Sequence, residues 1–231
     1  PGAAEHFVIS AAAQGSWRES LASWKSVNAS GASSRCREAA LISMVRLEKW
    51  NESQALVDAV PASARLAALI IRACEARGPA CVARHCFRRV HRAGLADGAM
   101  LRSALRSSAR TGEHRVGLEI LHEAAETGFA RHSDVLCAAA LLHALDGNVD
   151  AALLSLRSAR QAARQAAGQA PVAQMAEPAV RRSDAVSTNL AAPSSLTSMA
   201  AIGVERGDLE PLLLLLASAQ RWGGIRWILR A

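Results

Sequence analysis

One hydrophobic pattern recurs along the chain. An apolar stretch with helical spacing runs into a Gly, and a second stretch follows with a small residue five places beyond that Gly. The pattern reads Phe7-Val8-Ile9-Ser10-Ala11 to Gly15, then Trp17 to Leu21. It returns as Leu69-Ile70-Ile71-Arg72-Ala73 to Gly78, and as Leu101-Arg102-Ser103-Ala104-Leu105 to Gly112. Two later instances run from Leu136 to Gly147 and from Leu196-Thr197-Ser198-Met199-Ala200 to Gly207. A sixth copy, Leu41-Ile42-Ser43-Met44, ends at Lys49 in place of Gly. The anchors 15, 49, 78, 112, 147 and 207 are 34, 29, 34, 35 and 60 residues apart, and the last spacing is 35 plus a 25-residue insertion.

Each unit predicts a helical hairpin. Gly closes the first helix because it takes the left-handed conformation without strain. The small residue (Ser20, Ala83, Gly117 and Ala152, with Leu212 breaking the rule) lets the paired helices approach closely. Glu113, Asp150 and Asp208 open second helices, where negative charge suits the positive end of the helix dipole. The expected organisation is five hairpins over residues 1–168, a flexible insertion or linker over 169–195, and a last hairpin with a C-terminal cap over 196–231. The insertion holds Pro171, Pro178 and Pro193 in a Ser/Thr/Asn/Ala mixture without helical spacing.

Composition supports helix. The 231 residues are 51% hydrophobic but only 3% aromatic, with no Tyr, and the apolar content is mostly Ala and Leu. A sandwich or barrel needs more β-branched and aromatic residues. Five cysteines (Cys36, Cys74, Cys81, Cys86 and Cys137) are an odd number set mostly in apolar helical stretches, which argues for a reduced compartment and against a disulfide framework. The apolar run Leu212 to Ala217 is six residues, and no run approaches the length of a membrane span. A start at Pro1 is that of a processed or partial product, and removal of an organelle transit peptide is one explanation.

The charge balance is 27 basic to 20 acidic residues, a net +7, and Lys25 and Lys49 are the two lysines. Arg binds phosphate through a planar fork and stacks on bases, which fits an RNA or ribonucleoprotein surface. A GC-rich genome that favours Arg and Ala codons gives the same bias.

The segments Phe7–Leu21 and Leu101–Leu118, with Gly94-Leu95 and Gly128-Phe129 as turns after second helices, resemble the helix–Gly–helix consensus of pentatricopeptide (PPR) repeats. The resemblance covers nearly the whole chain outside the insertion. Tetratricopeptide repeats are the rival, but their Trp, Tyr and Pro landmarks are missing. PPR similarity implies an all-α solenoid of about six antiparallel helical hairpins. It also implies an organellar location, mitochondrion ahead of plastid, and single-stranded RNA held along the first helices, one base per repeat. By alignment the base-facing fifth positions are His6, Ala39, Ala68, Arg102, Cys137 and Thr197. The paired last positions are Ser34, Ser63, Asp97 and His132. The family pattern expects Asn, Ser or Thr at the fifth position and often Asp or Asn at the last. Thr197 and Asp97 alone fit, in different repeats, so the base code is degraded.

Basic stripes remain. Arg102, Arg106 and Arg110 lie at i, i+4 and i+8 of a first helix, and are expected to be exposed. Arg84, Arg88, Arg89 and Arg92 crowd the preceding second helix with His85 and His91, and Arg157, Arg160 and Arg164 form a third stripe. Such stripes suit phosphates, which need charge without base geometry; an ordinary solvated face is the alternative. Cys74, Cys81, His85, Cys86 and His91 lack CxxC spacing and a second ligand pair, so no metal site is expected. The five Trp residues, at 17, 24, 50, 222 and 227, are expected as packing anchors. The chain has no Gly-rich phosphate loop, HExxH or GxSxG, and no deaminase H-x-E with a later C-x-x-C.

The expected function is therefore non-catalytic, with no cofactor and no small-molecule substrate. The leading expectation is a scaffold subunit of a large organellar ribonucleoprotein, the mitochondrial ribosome first. Its partners would be RNA, rRNA above all and mainly through phosphates, and neighbouring proteins. The alternatives are a free organellar RNA-binding factor and a protein-only scaffold of an organellar membrane complex.

Overall fold

The computed structural model describes residues 2–168. Within them lie ten α-helices and a short 3-10 turn, Gly128–Arg131, and no strand. The helices are α1 (Ala3–Ala13), α2 (Trp17–Trp24), α3 (Ser34–Arg46), α4 (Trp50–Val57), α5 (Ala64–Ala76), α6 (Ala80–Arg92), α7 (Gly98–Thr111), α8 (His114–Ala124), α9 (Ser133–Leu145) and α10 (Val149–Gly168). No described helix is long and apolar enough to cross a membrane. The expected insertion at 169–195, the hairpin and cap at 196–231, Gly207, Thr197, Trp222 and Trp227 lie outside the described residues.

The chain divides into two compact units, one up to Ala130 and one from Arg131. In the first, the helices pack in pairs: α1 on α2, α3 on α4, α5 on α6, α7 on α8. The first helices of successive pairs touch in order, α1 to α3 to α5 to α7, and α4, α6 and α8 make a second row. Each pair thus buries its apolar face against the next. Leu41, Ile70, Ile71, Phe87, Leu101, Leu105 and Ile120 are the large side chains removed from solvent, each contributing roughly 1.5–3 kcal/mol of hydrophobic stabilisation. In the second unit α10 packs on α9, burying Ala152, Leu153, Leu156 and Ala159.

The hairpin turns follow the chemistry the pattern predicts, with two corrections. Gly15, Gly112 and Gly147 have φ of +79°, +76° and +84°, the left-handed region. At Gly15 and Gly147 the next amide also donates back five residues, Ser16 N to Ala11 O at 2.9 Å and Asn148 N to His143 O at 2.8 Å, closing the helix end. The copy without Gly is off by one: Glu48, not Lys49, takes the left-handed conformation at φ 60°, with Lys49 N donating to Met44 O at 2.9 Å. Counting five on from Glu48 reaches Ser53, which is fully buried like Ser20, so the small-residue rule extends to this hairpin.

Gly78 is the second correction. It is not left-handed; a Cβ there would lie 2.8 Å from the Trp50 ring and 2.9 Å from Cys74 Cα. What that position requires is space.

Candidate nucleic-acid interface

The arginines expected to form exposed phosphate-binding stripes are largely engaged within the fold. On α6, Arg84 donates to Glu119 at 3.1 Å, and Arg88 reaches Glu123 through its Nε at 2.8 Å and Glu119 at 3.5 Å. Arg89 donates to the carbonyls of Val57 and Val60 at the end of α4, and His85 pairs with Asp58 at 2.8 Å. On α7, Arg110 donates to Cys74 O and Glu75 O, both at 3.0 Å, and to Gly78 O at the end of α5. Arg106, whose side chain is 12% exposed, sits 3.6 Å from Glu75. Arg102 is half-buried. The expectation that the Arg102 stripe is exposed is therefore overturned at Arg102 and Arg106.

These interactions share one logic. The hydrogen bonds join residues separated by 27 to 36 positions, about one repeat length, so each clamps one hairpin to its neighbour. Arg89 and Arg110 add donors to carbonyls at helix C-termini, where intrahelical partners run out. Arg suits this use because its five donors fork over several acceptors. Sequence spacing identified a basic face but could not distinguish a clamp from a binding surface. The glutamates one period away, Glu75, Glu119 and Glu123, were the available signal.

Arg92 on α6 remains exposed. On α10, Leu154, Arg157 and Arg164 are exposed, and Arg160 is half-buried.

The aligned base-facing positions differ in exposure. Ala39 and Cys137 are buried, at 8% and 5% exposure, and cannot meet a base. His6 on α1 and His132 before α9 are exposed, and Ala68 is half-buried on α5. Asp97 accepts the Met100 amide at 2.7 Å and caps α7; Ser63 does the same for Leu66 at 3.5 Å on α5. Ser33, one residue before the aligned Ser34, caps α3. Ser63 and Asp97 are therefore committed to helix starts, a local need that any helical hairpin shares, while His132 makes no such cap bond.

The groove that does collect free cations lies off the stripes that spacing alone picks out. Arg65, Ala68, Leu69, Arg72 and Ala76 line one face of α5, and Arg46 at the end of α3 completes a groove of 540 Å³. Arg65 and Arg72 are exposed and make no ion pair or hydrogen bond among the described residues. The Arg46 guanidinium lies 5.8 Å from the centre of the Trp17 ring, a cation–π contact that fixes its direction. Among the described residues, no carboxylate lines the groove. The i, i+7 spacing of Arg65 and Arg72 around a small apolar face was visible in the sequence, but only the fold brings Arg46 beside them.

Among the described residues, no group of three His, Cys, Asp or Glu side chains could hold a metal ion. Cys74 and Cys86 are buried thiols, pushed up to about 12 by that burial, and behave as small apolar side chains. Trp50 packs over Gly78, and Trp24 is buried, so both serve as packing anchors. Set against known proteins, the chain matches no family model, no curated protein and no solved structure.

Proposed function

We propose that the chain is a PPR-like α-solenoid of about six hairpins that acts without catalysis, as a scaffold contacting RNA through phosphates. The observation that carries this reading is the groove of Arg46, Arg65 and Arg72, which holds three cations and no counter-ion among the described residues. Its floor is Ala68, Leu69 and Ala76, which offer a base edge no hydrogen bond. Such a surface favours phosphate binding over base readout. The resemblance to PPR repeats points to an organellar ribonucleoprotein, with the mitochondrial ribosome as the first complex to examine. The paired packing of α1 to α8 in chain order supports the repeat reading.

Filter binding of the unaltered chain and of an R46Q/R65Q/R72Q variant, over a salt series on two unrelated RNAs, tests this. The variant should weaken both RNAs alike and lower the salt slope by roughly 0.7 for each phosphate it no longer neutralises. A preference of about a thousandfold for one RNA at equal salt would make the chain a sequence-specific factor. Failure of both RNAs to bind would leave a protein-only scaffold. Native size exclusion with and without ribonuclease then separates a ribonucleoprotein subunit from a free factor.

A further inference from the structure

A second basic groove lies on a different part of the first unit. Arg18, Leu21, Ala22 and Lys25 fall at i, i+3, i+4 and i+7 along α2, and with Leu47 and Lys49 from the α3–α4 turn they enclose 350 Å³. Both lysines of the chain are in this one groove.

Arg18, Lys25 and Lys49 are exposed, and their side chains have no hydrogen bond or ion pair among the described residues. Among the described residues no carboxylate lines the groove; Glu48, in the same turn, reaches Arg77 at 3.1 Å instead. This differs from α6 and α7, where arginines are tied to glutamates or helix-end carbonyls. Three like charges gathered over Leu21, Ala22 and Leu47 repel one another, and an anion in the groove relieves that repulsion.

No residue lines both grooves. Val45 and Arg46 face the first, Leu47 and Lys49 the second, so the α3–α4 turn divides them. A strand lying along first helices would meet Arg65 and Arg72 but leave the α2 cations unmatched.

We propose that Arg18, Lys25 and Lys49 form a second phosphate-binding groove that holds a separate segment of RNA backbone, so that the ligand is a folded RNA and not an extended single strand. This rests on the proposed RNA binding at the first groove, and the test separates the two. The ligands are an RNA hairpin and an unstructured strand with the same number of phosphates, each measured over a salt series. The proteins are the unaltered full chain, R18Q/K25Q/K49Q and R46Q/R65Q/R72Q. All three second-groove positions are exposed, and Gln keeps helix propensity, so the fold is expected to survive.

The hairpin should bind the unaltered chain more tightly, and R18Q/K25Q/K49Q should lose that advantage, with a salt slope lower by roughly 2–3. Amine acetylation mapped by mass spectrometry gives an independent readout, because only these two side chains carry amines. Both should react several-fold more slowly with the hairpin bound. Hairpin binding that survives R18Q/K25Q/K49Q but fails in R46Q/R65Q/R72Q, with both lysines of the unaltered chain as reactive with the hairpin bound as without it, overturns the second groove alone. Binding of neither RNA by the unaltered chain overturns both proposals.

Discussion

Trp50, the first residue of α4, occupies the space that a side chain at position 78 would need. A Cβ on Gly78 would lie 2.8 and 2.9 Å from two atoms of the Trp50 ring. The ring of one hairpin thereby packs on the turn of the next. Trp17 at the start of α2 makes the corresponding contact with Arg46 at the end of α3. An aromatic at the start of a second helix is thus an inter-hairpin wedge.

Gly78→Ala should therefore destabilise the first unit by about 1–3 kcal/mol through overpacking. Gly112→Ala meets open space and should cost about 1–2 kcal/mol, from its left-handed φ alone. A double-mutant cycle by chemical denaturation separates the two causes. Trp50→Ala should offset part of the Gly78→Ala loss and none of the Gly112→Ala loss. Partial offset is expected, because Cys74 Cα also crowds position 78 at 2.9 Å. Simple additivity of Trp50→Ala and Gly78→Ala would show that the ring does not exclude a side chain there.

The thiols give a second check on the packing. Cys36, Cys74, Cys86 and Cys137 are buried, and Cys81 is half-buried on α6. Burial raises the Cys36, Cys74 and Cys86 thiols, which keeps them protonated and poor nucleophiles near neutral pH. Maleimide labelling of the native chain, read by mass spectrometry, should modify Cys81 first and leave the other four until denaturant is added. Early labelling of Cys74 or Cys86 would contradict the packing of α5 against α6.

Much of this architecture was legible because it depends on short-range chemistry. The left-handed Gly15, Gly112 and Gly147 and the buried small residues Ser20, Ala83, Gly117 and Ala152 each answer a local need of one hairpin. The off-by-one anchor was not legible, since a left-handed Glu48 breaks the preference for Gly that marks the other turns. The candidate interface was harder still. A free cation and a clamped one look alike in sequence, and Arg106 becomes a clamp only when α5 brings Glu75 to 3.6 Å. Arg65 and Arg72 are exposed and have no such neighbour among the described residues.

Acid should weaken the packing of α6 on α8. The Arg88 guanidinium bonded to Glu123 holds that carboxyl below the usual range, against a smaller opposing effect of burial. A carboxylate whose folded pKa is depressed contributes stability above its unfolded pKa, and loses it as pH falls through the folded value. The contribution is thus intact at neutral pH and declines below the ordinary glutamate range. Glu123→Gln should lower stability at pH 7 and flatten the fall between about pH 5 and 3. Denaturant midpoints of the two proteins across that range measure it. Parallel curves would mean that the pair contributes nothing that titrates.

The clamps and the grooves make opposite predictions for arginine removal. Arg110 supplies donors to Cys74 O, Glu75 O and Gly78 O, and Arg106 faces Glu75 from a largely buried position. Changing Arg102, Arg106 and Arg110 together to Ala should therefore cost stability, even though Ala is the best helix former. Each hydrogen bond removed is worth about 1 kcal/mol, and a buried carbonyl left without a partner costs more. The sum should be several kcal/mol at most, because Arg110 is exposed and water replaces part of what it gave. Arg110→Lys should recover little, since an ammonium cannot span three carbonyls in the way a planar fork does. R46Q/R65Q/R72Q should behave in the reverse way, costing no more stability than the Arg46–Trp17 contact, about 0.5–1 kcal/mol, while weakening RNA binding. Measuring both properties on both variants decides between the assignments. If the α7 variant keeps its midpoint and loses RNA, the α7 stripe is the binding surface and the clamp assignment fails.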